Sequence, residues 1–199
     1  MKSRPTPYDT ILANAARIIT LNAEEKKFFC SLLRVKQIRK RQYVLQAGDV
    51  SRFETFVNKG CLRAYYIDDD GNERIAQFAL EGWWIGDMAS FTRGLPAKLT
   101  IDAMEDSEII QIEKADFEML LERIPKFERY FRLLLTNAFI AHQHRILSYL
   151  SSTAEERYAE LLTKYPGFEQ HIPLRHIASY LGVTPEFLSR MRKRLTKKK

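Results

Sequence analysis

Only two cysteines occur among the 199 residues, Cys30 and Cys61. Two thiols so far apart in the chain exclude a disulfide framework and a cysteine-rich metal site, and they fit a reducing cytoplasm. Histidine is almost as scarce. His142 and His144 are two apart and fall on different faces of a helix, and neither His171 nor His176 has a cysteine or acidic companion at ligand spacing, so no metal and no cofactor are expected. Membrane-length apolar runs are missing: the N-terminal ILANAARIITL stretch is broken by Arg17 and reads as amphipathic, which argues against an anchor or a signal peptide. The nucleophile elbow, the phosphate loop and the dinucleotide glycine motif are all absent, so an enzyme is not expected. Asp68 to Asn72 has the carboxylates of a calcium loop, but Tyr66 and Gln77 stand where its first and last ligands belong, and a hairpin turn is expected instead.

Acidic residues are nearly missing from the C-terminal end. From Pro173 to Lys199 there are eight bases and a single acid, Glu186. The whole chain has 32 bases, 25 acids and a net charge of +7, so the remainder balances at 24 of each. A neutral body with a cationic end points to a polyanionic partner, because clustered Lys and Arg release the counterions condensed on phosphates. The apolar spacing sharpens that reading. Ile177, Ala178 and Leu181 share one face of a helix beginning near Leu174; Gly182 permits a positive-φ turn and Val183 plugs it. Thr184 suits an N-cap, Pro185 the first helical position and Glu186 the positive end of the dipole. Leu188, Met191 and Leu195 form a second stripe, with small Ala178 where the helices cross. This is a helix-turn-helix pattern.

Before it, residues 35–113 are strand-like, in the runs KQIRKRQYVL, ETFVN, CLRAYYID, ERIAQFAL, LTIDAM and SEIIQIE, with turn signals at Gly48, Gly60, Asp70-Gly71 and Gly82. A small antiparallel roll or sandwich is expected. From Asp116 the pattern is helical. Between Phe127 and Leu150, the apolar positions Phe131, Leu134, Leu135, Ala138, Ile140, Ile146, Leu147 and Leu150 spread more widely than one small core requires, which predicts a homodimer interface. Ser152 with Glu155, or Thr153 with Glu156, has capping-box spacing and starts another helix. The expected domains are therefore 1–150, whose final stretch from about 116 is the dimerisation helix, and 151–199. The fold class is α+β: a jelly-roll-like antiparallel β-roll with a long helix, then a small all-α helix-turn-helix domain.

This order, together with VNKGCLRAYYIDDDGNERIAQF, WWIGDMASF and IASYLGVTPEFLSRMRKRL, resembles the Crp/Fnr family of bacterial transcription regulators. The resemblance covers residues 10 to 195. It implies a cyclic-nucleotide-binding-like sensor roll, a homodimer, two recognition helices in successive major grooves of an inverted-repeat DNA operator, and contact with RNA polymerase. Glu186 and Arg190 match the family's base-reading pair, and their four-residue spacing independently places them on one helical face. Ser189 lies on the same side; Thr184, Arg192, Lys193 and Arg194 suit phosphates. The wing that follows the recognition helix in many members is not expected here, since only Thr196 and three lysines follow Leu195. The resemblance places the effector pocket at Gly86, Asp87, Met88, Ala89 and Lys98. Nucleotide-binding members have Gly-Glu and a later Arg where this chain has Gly86-Asp87 and Ala97, so cyclic AMP is not the expected effector. Two cysteines also cannot supply the four thiolates of an iron–sulfur cluster. The competing reading is a ligand-binding module whose basic helical tail serves protein partners.

Overall fold

The computed structural model describes residues 6–165 and 167–197, without the side chains of 171 and 195–197. The expected contribution of the Leu195 side chain to the second apolar stripe falls outside the described residues.

Two short helices open the chain, α1 (Asp9–Ala16) and α2 (Ala23–Ser31). Asn22 begins α2 with a reciprocal cap: Glu25 N donates to its side chain and its own N–H donates to the Glu25 carboxylate, each at 2.8 Å. Then come β1 (Leu33–Ile38), β2 (Tyr43–Leu45), β3 (Phe53–Lys59), β4 (Cys61–Ile67), β5 (Glu73–Leu80), β6 (Trp84–Ile85), α3 (Met88–Arg93), β7 (Thr100–Ala103) and β8 (Ser107–Glu113). The run expected as one strand over 36–45 is split, because the chain turns after β1 and Arg41 adopts φ +67°.

The strands form two four-stranded sheets, ordered β1-β8-β3-β6 and β2-β7-β4-β5. The first strand pairs with the last, from Leu33 opposite Ile112 to Ile38 opposite Ser107. Gly60, at φ +95°, lets consecutive strands β3 and β4 enter different sheets; a Cβ there would collide with Ser107. Side-chain alternation then sets the layers. Val57, Ile85 and Ile109 of the first sheet join Leu62, Ala64, Ile101 and Ala103 of the second in one apolar cluster. Phe56, Ile110 and Ile112 lie on the other side of the first sheet, in a cluster with Ile11, Ala15, Phe29, Leu120, Phe127 and Tyr130 from the helices. Each fully buried Val, Leu, Ile or Phe among them contributes about 1.5–3 kcal/mol. Trp84 packs, partly buried, against the helix-side cluster and Phe91 is buried, whereas Trp83 is exposed. Arg63 of β4 and Asp102 of β7 are buried together as a two-pronged ion pair, Nε to Oδ1 at 2.7 Å and Nη2 to Oδ2 at 2.9 Å.

Six helices follow among the described residues: α4 (Lys114–Arg123), α5 (Lys126–Ser151), α6 (Ala154–Lys164), α7 (Phe168–His171), α8 (Leu174–Leu181) and α9 (Pro185–Lys197). Thr153, not Ser152, caps α6, in a capping box with Glu156. No helix among the described residues is long and apolar enough to cross a membrane. Contacts group the chain into two compact units, Met1–Ala64 with Gln77–Thr136, and Tyr65–Ala76 with Asn137–Lys199. This is a different partition from a boundary at residue 150: the tip of the β4–β5 hairpin and the end of α5 belong with the C-terminal helices.

Candidate nucleic-acid interface and roll cavity

The helix-turn-helix is built as its spacing requires. Gly182 ends α8 at φ +70° and ψ 32°, and Val183 N donates to Ala178 O at 3.0 Å across the turn. A Cβ on Gly182 would lie 2.9 Å from the Tyr149 ring. Thr184 Oγ1 accepts from Phe187 N at 3.2 Å, which caps α9. Ile177, Ala178, Leu181, Leu188 and Met191 are buried, with Tyr158, Leu161, Phe168 and Ile172 completing the core of this unit.

The opposite face of α9 is exposed. Glu186, Arg190 and Lys193 project from it, and among the described residues none of the three side chains makes an ion pair or hydrogen bond. Ser189 is half-buried beside them. Arg192 and Arg194 differ from the sequence expectation: Arg192 pairs with Glu169 of α7 at 3.1 Å and Arg194 with Glu155 of α6 at 3.6 Å. Counting bases along the C-terminal segment could not reveal these acids, because they come from earlier helices.

The tip of the hairpin is a further part of this unit. Asp68 to Asn72 form its turn, with the Asp68 carboxylate accepting from Asp70 N and Asn72 N and pairing with Arg74. Ser179 Oγ of α8 donates to Glu73 O at 2.7 Å and accepts from Ile75 N at 3.1 Å. Arg145 of α5 donates to Ala76 O and stacks over the Tyr180 ring at 5.1 Å. The Tyr149 hydroxyl donates to Tyr180 O, and Arg157 donates to Leu181 O.

In the other unit, the roll holds a cavity of about 520 Å³. Of the five expected effector residues only Gly86 lines it. Asp87 is buried, but its carboxylate faces the backbone: Oδ1 accepts from Ser90 N at 3.0 Å as the cap of α3, and Oδ2 from Lys98 N at 2.9 Å and Leu99 N at 3.2 Å. Met88, Ala89 and the Lys98 side chain are exposed. Ala97 is buried, donating to Asp49 O at 2.7 Å and accepting from Gly48 N at 2.8 Å. The cavity is instead walled by Val44, Leu45, Thr55, Ile101, Gln111 and the 48–53 loop, which sequence reading missed. One signal was available: Asp87 precedes a short helix closed by Gly94 at φ +68°, a cap-and-stop pattern that explains the carboxylate without a ligand.

Glu54 carries the other unusual carboxyl of this unit. It is buried against Gly86, its Oε1 has no hydrogen-bond partner, and burial followed by the nearby Asp87 charge pushes its pKa up to about 7.

The cyclic nucleotide-binding domain family model matches residues 35–124. Across 89% of this chain and 75% of its own length, the fumarate and nitrate reduction regulatory protein of Vibrio cholerae is 30% identical over 190 residues. The regulatory protein HlyX of Actinobacillus pleuropneumoniae is 29% identical over 177 residues, 82% of this chain and 72% of the relative. Among solved structures, FixK2 from Bradyrhizobium japonicum has a similar fold, with a TM-score of 0.73 at 20% identity over 83% of this chain and 85% of that one. The c-di-GMP responsive regulator CLP of Xanthomonas campestris has a TM-score of 0.71 at 15% identity, over 89% and 93%.

Proposed function

The chain belongs to the Crp/Fnr family of transcription regulators, and from that premise we propose that it is a homodimer that reads an inverted-repeat operator through α9, under the control of a small molecule held in the β-roll. The observation that carries this reading is the free pair Glu186 and Arg190. Opposite charges four residues apart on a purely structural helix would be expected to meet as an ion pair. Here both are exposed and, among the described residues, unengaged, on a helix whose other face is buried. A carboxylate can accept from cytosine N4, and a guanidinium can give two bonds to guanine O6 and N7. Thr184, Ser189 and Lys193 flank the pair as contacts to bases or phosphates. Arg192 and Arg194 reach phosphate by leaving Glu169 and Glu155; half-exposed pairs of that kind are worth about 0–1 kcal/mol, so the exchange is easy.

The dimer reading rests on α5. Phe131 and Leu134 pack against the roll's helix-side cluster, but Leu135, Phe139, Ile140, Ile146, Leu147 and Leu150 stay exposed, Phe139 at 63% and Leu150 at 80%. Leu135, Phe139, His142 and Ile146 recur at spacings of four, three and four, the repeat of a two-helix seam. Partial burial and then the Arg145 charge hold the His142 pKa down, which favours an uncharged seam at neutral pH. Cyclic AMP does not suit the roll: Ala97 supplies no cation, and the Asp87 carboxylate is already filled with backbone donors.

A duplex titration at several salt concentrations tests the reading. Arg190→Ala should cost about 1–3 kcal/mol per half-site and relax selectivity at one base pair. Lys193→Ala should weaken all duplexes alike and flatten the salt slope. Equal, sequence-blind losses from both would leave only a basic coating tail and overturn the proposal.

A further inference from the structure

The two ends of the roll cavity differ in chemistry. Thr55, Ile85, Ile101 and Gln111 form its inner wall, none more than 4% exposed. Antiparallel pairing of β3 with β8 sets Thr55 opposite Gln111, and Gln111 Nε2 donates to Thr55 Oγ1 at 3.1 Å. Gln111 Oε1 is buried without a hydrogen-bond partner among the described residues. A buried amide oxygen in that condition forgoes a bond that a ligand donor would supply. Val44, Leu45 and Phe53 make the middle of the wall apolar and partly buried. The outer end is exposed and carries one charge of each sign, Asp49 and Arg52, and neither side chain is in an ion pair among the described residues.

These walls define a ligand. The inner wall has no cation, so a buried phosphate would be strongly disfavoured. An apolar body fits the middle, one N–H donor fits Gln111 Oε1, and a paired ammonium and carboxylate fit Asp49 and Arg52. We propose that the cavity binds a net-neutral small molecule of the aromatic α-amino acid class, its ring N–H donating to Gln111 and its zwitterionic end held between Asp49 and Arg52. The volume of about 520 Å³ lies within the usual small-molecule range of about 300–1,000 Å³. Binding of the ligand stands on the cavity alone; its role as an effector rests on the regulator reading above.

The test uses the full-length protein with L-tryptophan as the probe, 1-methyl-L-tryptophan to remove the ring donor, and indole-3-propionate to remove the ammonium. Calorimetry and amide resonances of Thr55, Ile85 and Gln111 report binding. The expected result is saturable binding of L-tryptophan, weakened about tenfold by ring methylation or by Gln111→Leu, with a comparable loss for indole-3-propionate and for Arg52→Gln. Because Arg52 is exposed, that variant keeps the test open if Gln111→Leu does not fold. Absence of saturation up to about 10 mM, or equal affinity for the methylated probe, would overturn the site. Duplex affinity is then measured with and without L-tryptophan. A change supports the effector role, and no change despite binding overturns it while leaving the site. Failure to bind any duplex selectively, with ligand binding intact, would count against the regulator reading instead.

Discussion

The roll and α9 treat charge in opposite ways. In the roll, charged groups are buried and engaged: Arg63 with Asp102, and Asp87 with three backbone N–H groups. On α9, Glu186, Arg190 and Lys193 are exposed and make no side-chain bonds among the described residues. Buried charge is tolerated only when its partners are supplied, so it becomes a fixed part of the architecture. Exposed charge costs little to keep free and remains available to another molecule. The same residue types therefore hold the structure in one unit and are proposed to recognise DNA in the other.

Breaking the engaged half should have the largest effect. Arg63→Met strands the Asp102 carboxylate, and chemical denaturation should show a loss of about 3–5 kcal/mol, largely recovered when Asp102→Leu is added. Recovery would confirm that the penalty is an orphaned charge and not a lost favourable pair.

Glu54 sharpens the contrast, because it is buried without full engagement. A carboxyl whose pKa rises from 4.5 unfolded to about 7 folded favours the native state only while protonated. Its stabilising contribution is complete below pH 4.5 and disappears as pH rises through 7. The wild type should accordingly lose about 3 kcal/mol relative to Glu54→Gln between those limits, read from denaturation midpoints across pH. Parallel pH profiles would contradict the assignment.

The smallest expected effect concerns exposed apolar surface. Phe139→Glu with Ile146→Glu should raise the dimer dissociation constant at least about a hundredfold, or ~2.7 kcal/mol, without unfolding the chain, since both positions are exposed in the protomer. Sedimentation checks this, and a wild type already monomeric at micromolar concentration would remove the dimer from the proposal.

What the sequence made legible was local. Gly182, Thr184 and the stripes of α8 and α9 are defined within a few residues, so spacing alone located them. The choice of Thr153 over Ser152 was not legible, because both have the same capping spacing and only the backbone distinguishes them. Sheet order, the partners of Asp87 and the acids beside Arg192 and Arg194 depend on segments far apart in the chain. Glu54 sits in an ordinary strand run, and nothing near it in sequence marks it as buried.

The hairpin tip on α8 bears on how such a module can be moved between proteins. Ser179 is bonded to the backbone at Glu73 and Ile75, 106 and 104 positions earlier in the chain, and Arg145 to Ala76, 69 positions earlier. A gene fragment encoding only the C-terminal helices would carry the proposed DNA-reading helix without the strand tip bonded to α8. Recombination that exchanges this unit therefore has three seams to respect, one on each side of the hairpin tip and one within α5. If α9 reads DNA as proposed, single substitutions on its outer face are the easier route to a new binding preference, because they disturb none of these seams.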